Sequence, residues 1–157
     1  MLALIACNKN LPADGGSWTL HSTTYKATQA YYIFGGLSAY TGTNIPTGTL
    51  QLWFSDSTVT TRWPKHTSYT LTNSYPPDSG YAFMQITDSS LYNSWMITGS
   101  TTPSVTIAPY HDSLITITIP QVMVVNTNTT PVYFPQVIGK PTGTDSTPMF
   151  GTINRTY

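Results

Sequence analysis

Three sets of side chains in this 157-residue chain have types and spacing that could do chemistry. The first is a single thiol, Cys7, standing behind the apolar stretch MLALIA. With no second cysteine to pair with, it suits attachment better than folding. The second set is acid–base: Asp14, Asp56, Asp78, Asp88, Asp112 and Asp145, with no Glu anywhere, and His21, His66 and His111. The third is aromatic. Trp18, Trp53, Trp63 and Trp95, with eleven Tyr, bring aromatic residues to 13%. Sugar rings present apolar C–H faces that stack on flat aromatic rings, so an uncharged chain rich in Trp and Tyr can hold glycans. Arg62, Trp63, Lys65 and His66, in the stretch RWPKH, form the chain's basic–aromatic cluster.

The acid–base set reads mostly as turns. Glycosidases of the common kind place two carboxylates across a cleft. Here five of the six Asp precede a Ser, at 56, 78, 88, 112 and 145, each between predicted strands. Asp side chains fold back onto nearby backbone N–H groups and stabilise turns. The residue types of a Ser/His/Asp triad are present, but no G-x-S-x-G elbow is. His111 and Asp112 are adjacent, and neighbours on a strand point to opposite faces; after Pro109-Tyr110 they fit a loop. Three scattered His and one Cys lack the ligand spacing of zinc sites. A calcium ion would have to sit in a turn, on Asp78, Asp88 or Asp112 with backbone carbonyls. The balance is against an enzyme, and no metal or cofactor is implied; a hydrolase with an unrecognised Asp or Ser site is the weaker alternative.

Such side chains need a scaffold, and composition says which. Charged residues make up only 8% of the chain, with zero formal net charge and a pI near 6.8. No clustered basic face exists for nucleic acid, and no apolar run reaches the length of a membrane-spanning helix. Thr, Tyr, Val and Ile favour pleated strands, while helix formers are scarce. The twelve Pro and eleven Gly are spread along the chain as turns require.

Strands are predicted at 18–20, 25–34, 49–54, 68–72, 81–87, 93–99, 104–108, 114–119, 122–126, 131–138 and 150–157. HSTT at 21–24 is a plausible hairpin turn, and PPDSG at 76–80 the strongest turn. LITITI (114–119) alternates most cleanly, so Ile115, Ile117 and Ile119 should face a core. Pro120 then interrupts the ladder and implies a bend or bulge. In TLQLWF (49–54), Trp53 falls opposite Leu50, Leu52 and Phe54 and should face outward. Trp18 and Trp95 read as core. About 9 to 11 short strands imply an all-β domain over 17–157, a single antiparallel β-sandwich, with a small β-barrel as the alternative.

Residues 1–16 differ. L-I-A-C at 4–7 resembles the lipobox of bacterial lipoproteins, in which a peptidase cuts before the cysteine and the thiol carries diacylglycerol. The resemblance implies that 1–6 are a signal-peptide remnant, that Cys7 is the lipidated residue, and that 7–16, with Pro12 and Gly15-Gly16, are a flexible tether. Two or three acyl chains anchor a protein stably. In that family, Asn rather than Asp after the cysteine (Asn8 here) implies the outer membrane. The body is also similar to small lipoproteins of Bacteroidetes-type bacteria, through SWTLHSTTYKAT (17–28), SYTLT, LITITIP and FGTIN. His21-Ser22 stand where that family uses Gly or Asn. The family has no established activity, so the resemblance implies a compartment and a fold class.

The expectation is a lipid-anchored protein of the bacterial cell envelope, non-enzymatic, binding glycan or an envelope protein partner. Trp53, Trp63, Arg62, Lys65 and His66 are the candidate binding residues. A structural or accessory subunit of an envelope complex is the alternative.

Overall fold

A computed structural model describes residues 15–33, 36–56, 64–88, 94–98, 103–110, 114–127 and 146–156. Among them the chain is all-β. Eleven strands follow one another: β1 (Gly15–Leu20), β2 (Thr23–Ala27), β3 (Gln29–Ile33), β4 (Gly36–Tyr40), β5 (Thr49–Phe54), β6 (Ser68–Thr72), β7 (Tyr81–Thr87), β8 (Ser94–Ile97), β9 (Ser104–Tyr110), β10 (Leu114–Asn126) and β11 (Ser146–Thr156). They join in one sheet of order β2-β1-β11-β10-β9-β6-β7-β5-β4-β3, with β8 pairing both β10 and β7. All pairings are antiparallel except β6 with β7. The sheet folds over, so that β1, β2 and β11 pack near β3 and β4. One hydrophobic core draws on every strand, the arrangement of a sandwich.

Alternation decides what enters that core. Ala30, Ala39, Leu50, Ile86 and Trp95 stand opposite one another across β3, β4, β5, β7 and β8, and all five are buried in it. Ile115, Ile117 and Ile119 are likewise buried. Trp18 and Trp95 lie in the core as expected, 1% and 3% exposed. Trp18 stacks on Tyr25 across β1 and β2, ring centroids 5.4 Å apart.

The turns follow local chemistry. His21 and Ser22 have φ of 52° and 62°, the doubly left-handed turn whose twist matches a two-residue hairpin. At Pro120 the β10–β11 register shifts between Ile119 and Val122, a bulge, yet the strand continues. The predicted strands at 114–119 and 122–126 are therefore one bent strand.

Four expectations need correction. Gly15 and Gly16 are not tether but the start of β1, paired with Asn154 and Ile153. Their φ values are 134° and 116°, and a Cβ on Gly16 would stand 2.0 Å from the Thr152 carbonyl oxygen. Only glycine lets the backbones approach that closely. The stretch 25–34 is two strands, because the chain crosses at Thr28 from one sheet end to the other, with Thr28 N–H donating to the Tyr40 carbonyl. GLSAY (36–40) is a strand the sequence did not announce; it is nearly all buried and lacks the polar half of an alternating pattern. β11 starts at Ser146, not 150. The predicted strand at 131–138 lies outside the described residues.

Candidate functional site

Of the predicted binding residues, Arg62 and Trp63 lie outside the described residues, as does Cys7. Lys65 and His66 are exposed and gather around Asp56, at the end of β5. Asp56 Oδ2 accepts the Lys65 backbone N–H at 3.0 Å, and the carboxylate takes the Tyr69 hydroxyl at 2.7 and 2.8 Å. The Tyr69 oxygen accepts the His66 backbone N–H at 3.0 Å, and His66 Nε2 stands 3.7 Å from Asp56. Burial first, then the neighbouring Asp56, pushes the Tyr69 phenol up to about 12, against hydrogen bonds from the backbone that lower it. Asp56 thus acts over a longer span than a local turn: it holds Lys65 and Tyr69, nine and thirteen residues on. Its ligands are the protein's own backbone and phenol.

Trp53 leaves the main core, as its position opposite Leu50 and Leu52 requires, but it does not offer an open face. It is 6% exposed. Its ring lies over Gly36, its partner on β4, so close that a Cβ there would stand 2.5 Å from the indole. Tyr75 and Phe83 meet the ring at centroid distances of 6.2 and 5.6 Å, and Met96 completes this second cluster. The expected outward-facing platform at Trp53 is corrected on that ground: the ring is buried among Gly36, Tyr75, Phe83 and Met96. Beside it, Gln85 Nε2 donates to Ser94 Oγ at 2.7 Å, a buried pair.

The sheet face that carries Trp53 opens one end into a cleft. Tyr40, Thr49 and Thr87 stand in register across β4, β5 and β7 and line it, with Thr41, Gly42, Thr47, Gly48 and Asp88. Its volume is about 190 Å³. The β4–β5 loop that frames it is tied at its neck by Thr41 N–H to the Gly48 carbonyl at 3.2 Å, and by Gly48 N–H to Thr41 Oγ1 at 2.9 Å. Ile45, at the loop tip, is 93% exposed. On the other flank the Tyr40 ring meets Tyr31 at 5.6 Å. Tyr31 is exposed, and its hydroxyl donates to the Gln29 side-chain oxygen.

Asp88 is held where it is. Trp95 Nε1 donates to its Oδ2 at 3.3 Å, and the His21 ring packs edgewise on Trp95, centroids 5.0 Å apart. Burial, and secondarily the Asp88 charge, raises the Tyr25 phenol above its usual range. The lining brings together Asp88, threonine hydroxyls and the Tyr40 ring, and Tyr40 in turn meets Tyr31. These are the groups that bind polyhydroxylated, uncharged molecules. Sequence reading missed it because Tyr40 belongs to the unannounced β4 and Asp88 read as a turn residue. The one visible signal was the density of Thr and Gly after Tyr40 in YTGTNIPTGT (40–49).

A second hollow of about 240 Å³ lies on the outer face of β1, β11 and β10, lined by Ser17, Thr19, Thr118, Ile119, Gly151 and Thr152. None of these described lining residues carries a charge or an aromatic ring. Asp78 sits in the expected turn, its carbonyl accepting Tyr81 N–H at 2.9 Å, with Gly80 at φ 82°. Asp14, His111, Asp112 and Asp145 lie outside the described residues. Among the described residues, no three His, Cys, Asp or Glu side chains gather as a metal site would need, and no helix is long and apolar enough to cross a membrane. No family model matches the chain, and neither any curated protein nor any solved structure matches it.

Proposed function

We propose that this chain is a non-enzymatic glycan-binding module of the bacterial cell envelope, anchored by lipid at Cys7. The observation that carries the binding half is the cleft between β4, β5 and β7, lined by Tyr40, four threonines and Asp88, with the exposed Tyr31 against the Tyr40 ring. Hydroxyls and a carboxylate satisfy sugar hydroxyls, and the tyrosine rings cover C–H faces. The anchor half rests on the LIAC stretch alone.

Electrophoresis of the purified chain through gels cast with neutral polysaccharides tests the binding half. The chain should be retarded on at least one gel, Tyr31→Ala should abolish the retardation, and Trp53→Ala should keep it in whatever fraction folds. Passage through every gel at the speed of an inert control would sink the reading and leave the accessory-subunit alternative. For the anchor, bacteria fed a labelled fatty acid should incorporate label into the chain, and Cys7→Ser should lose it.

A further inference from the structure

We infer that the β4–β5 loop, 41–48, is a second membrane contact: its tip, Ile45, enters the interface of a zwitterionic lipid bilayer and sets the orientation of the anchored domain. The inference rests on the anchor half of the reading above and adds a surface to it. Exposure comes first. Ile45 is 93% exposed, whereas the other exposed large hydrophobics among the described residues, Met123, Tyr81 and Tyr31, reach 42, 39 and 37%. An isoleucine held out in water gains by reaching lipid. Residues 29–55 carry no charged side chain, so the loop brings no ion that would have to shed its water. The loop is also braced. Thr41 and Gly48 tie its neck by two hydrogen bonds, and Asn44 N–H donates to the Thr41 carbonyl at 3.1 Å, one residue before the tip. At its root Tyr40 packs against the exposed Tyr31, and a tyrosine, apolar in its ring and polar at its tip, suits the level of the lipid headgroups.

Position comes second. The chain enters β1 at Gly15, and Thr28 joins that entry to the loop. A Cβ on Gly15 would stand 2.5 Å from the Ala27 carbonyl oxygen and 3.7 Å from the Thr28 carbonyl carbon, and a Cβ on Gly42 would stand 3.0 Å from Thr28 Oγ1. Thr28 N–H also donates to the Tyr40 carbonyl at 2.9 Å. The entry to β1 and the root of the loop therefore lie at one end of the sandwich. The 76–80 turn marks the other end, since the β5–β7 pairing runs from Thr49 and Thr87 beside the loop to Phe54 and Ala82 beside that turn. Gly15 stands eight residues after Cys7, and eight residues span at most about 27 Å. A lipid on Cys7 thus holds the loop end, rather than the 76–80 end, toward the bilayer. One isoleucine partitions weakly by itself. On an anchored chain the contact is intramolecular, and a high effective concentration makes a weak contact count. Ile45 is not among the residues that line the cleft, which take from this loop only Thr41, Gly42, Thr47 and Gly48, so substitution can separate the tip from the glycan site.

The test uses the full chain, produced in bacteria fed a labelled fatty acid so that acylation of Cys7 is read directly, and reconstituted in vesicles of phosphatidylethanolamine and phosphatidylcholine. Acylation consumes the native thiol. Thr43→Cys, beside the tip, and Ser79→Cys, in the far turn, both at exposed positions, then each offer one free thiol to a polarity-sensitive fluorophore. Nitroxide-labelled lipids should quench the probe at 43 at least fivefold more than the probe at 79. Adding Ile45→Asp should bring the quenching at 43 down to the level at 79, with the fatty-acid label kept and, at so exposed a position, the thermal midpoint unchanged. Equal quenching at the two positions, or quenching at 43 that survives Ile45→Asp, would overturn the inference and leave the anchor standing. A chain that takes up no fatty-acid label would overturn both.

Discussion

Trp53 and Gly36 form a pair whose energetics follow from one distance. A Cβ at Gly36 would stand 2.5 Å from the Trp53 ring, and Tyr75 and Phe83 prevent the ring from moving off. Gly36→Ala should therefore overpack the site and cost about 2 kcal/mol. Trp53→Ala empties a buried site and should cost about 3 kcal/mol, the low end for a tryptophan because the cluster is small. With the ring gone, the Gly36→Ala methyl has room, and alanine in a strand is better than glycine by about 0.5 kcal/mol. The double variant should then be more stable than Gly36→Ala and Trp53→Ala together predict by about 2.5 kcal/mol, inside the range seen for residues in contact. Urea denaturation measures all four corners, the Trp53→Ala midpoint falling by about 1.5 M for a slope near 2 kcal/mol/M. Additivity within about 0.5 kcal/mol would mean that the ring does not sit over Gly36, and the case against an open Trp53 platform would fall with it.

Other outcomes follow from the same geometry. Gly16→Ala should destabilise by at least about 3 kcal/mol, since left-handed strain adds to a backbone clash, and a thermal midpoint unchanged from the parent would restore 15–16 to a tether. Ser22→Gly should raise the thermal midpoint by a few degrees, about 1 kcal/mol, because glycine adopts the left-handed turn without penalty; a fall would refute the hairpin. Tyr69→Phe should cost about 1–3 kcal/mol, since it removes the hydroxyl that donates to Asp56 and accepts the His66 N–H. The Tyr69 phenol is pushed up from 10.0 to about 12, so the folded chain keeps its proton where the unfolded chain has lost it. Its contribution is whole below pH 10 and declines as pH climbs toward 12. Denaturation curves across that window should show a shallower decline in Tyr69→Phe; parallel declines would refute the assignment.

Legibility in the sequence was uneven for physical reasons. Period-2 alternation over LITITI placed Ile115, Ile117 and Ile119 in the core without error, since one face of β10 meets the core and the other carries Thr. GLSAY was illegible because Leu37, Ser38 and Ala39 are buried on both faces of the sheet, and a strand covered twice has no alternation. Trp53 showed a different limit. Its side of the strand was readable, but its exposure depends on Tyr75 and Phe83, which approach from other segments. The cleft was the least visible feature, assembled from the ends of β4, β5 and β7, since register rather than local pattern brings Tyr40, Thr49 and Thr87 together. The parallel β6–β7 pair had no local signal, since the loop between them is marked by turn residues that suit a hairpin equally well.

The low charge bears on where recognition can occur. Ser17, Thr152, Thr118, Thr106 and Ser68 stand in register across β1, β11, β10, β9 and β6, on the face opposite the core residues Trp18, Ile153, Ile117 and Tyr69. That row replaces the charges that keep most sheet surfaces soluble, and Lys26 on the edge strand β2 extends it, as edge strands use lysine to discourage pairing. A hydroxylated face of this kind resembles water to an approaching molecule and distinguishes little. Discrimination has to come from places off the row that carry a charge or an aromatic ring. Among the described residues, the cleft lined by Tyr40 and Asp88 lies away from that row, at the ends of β4, β5 and β7. Asp56 carries such a charge as well, and it already binds its own chain.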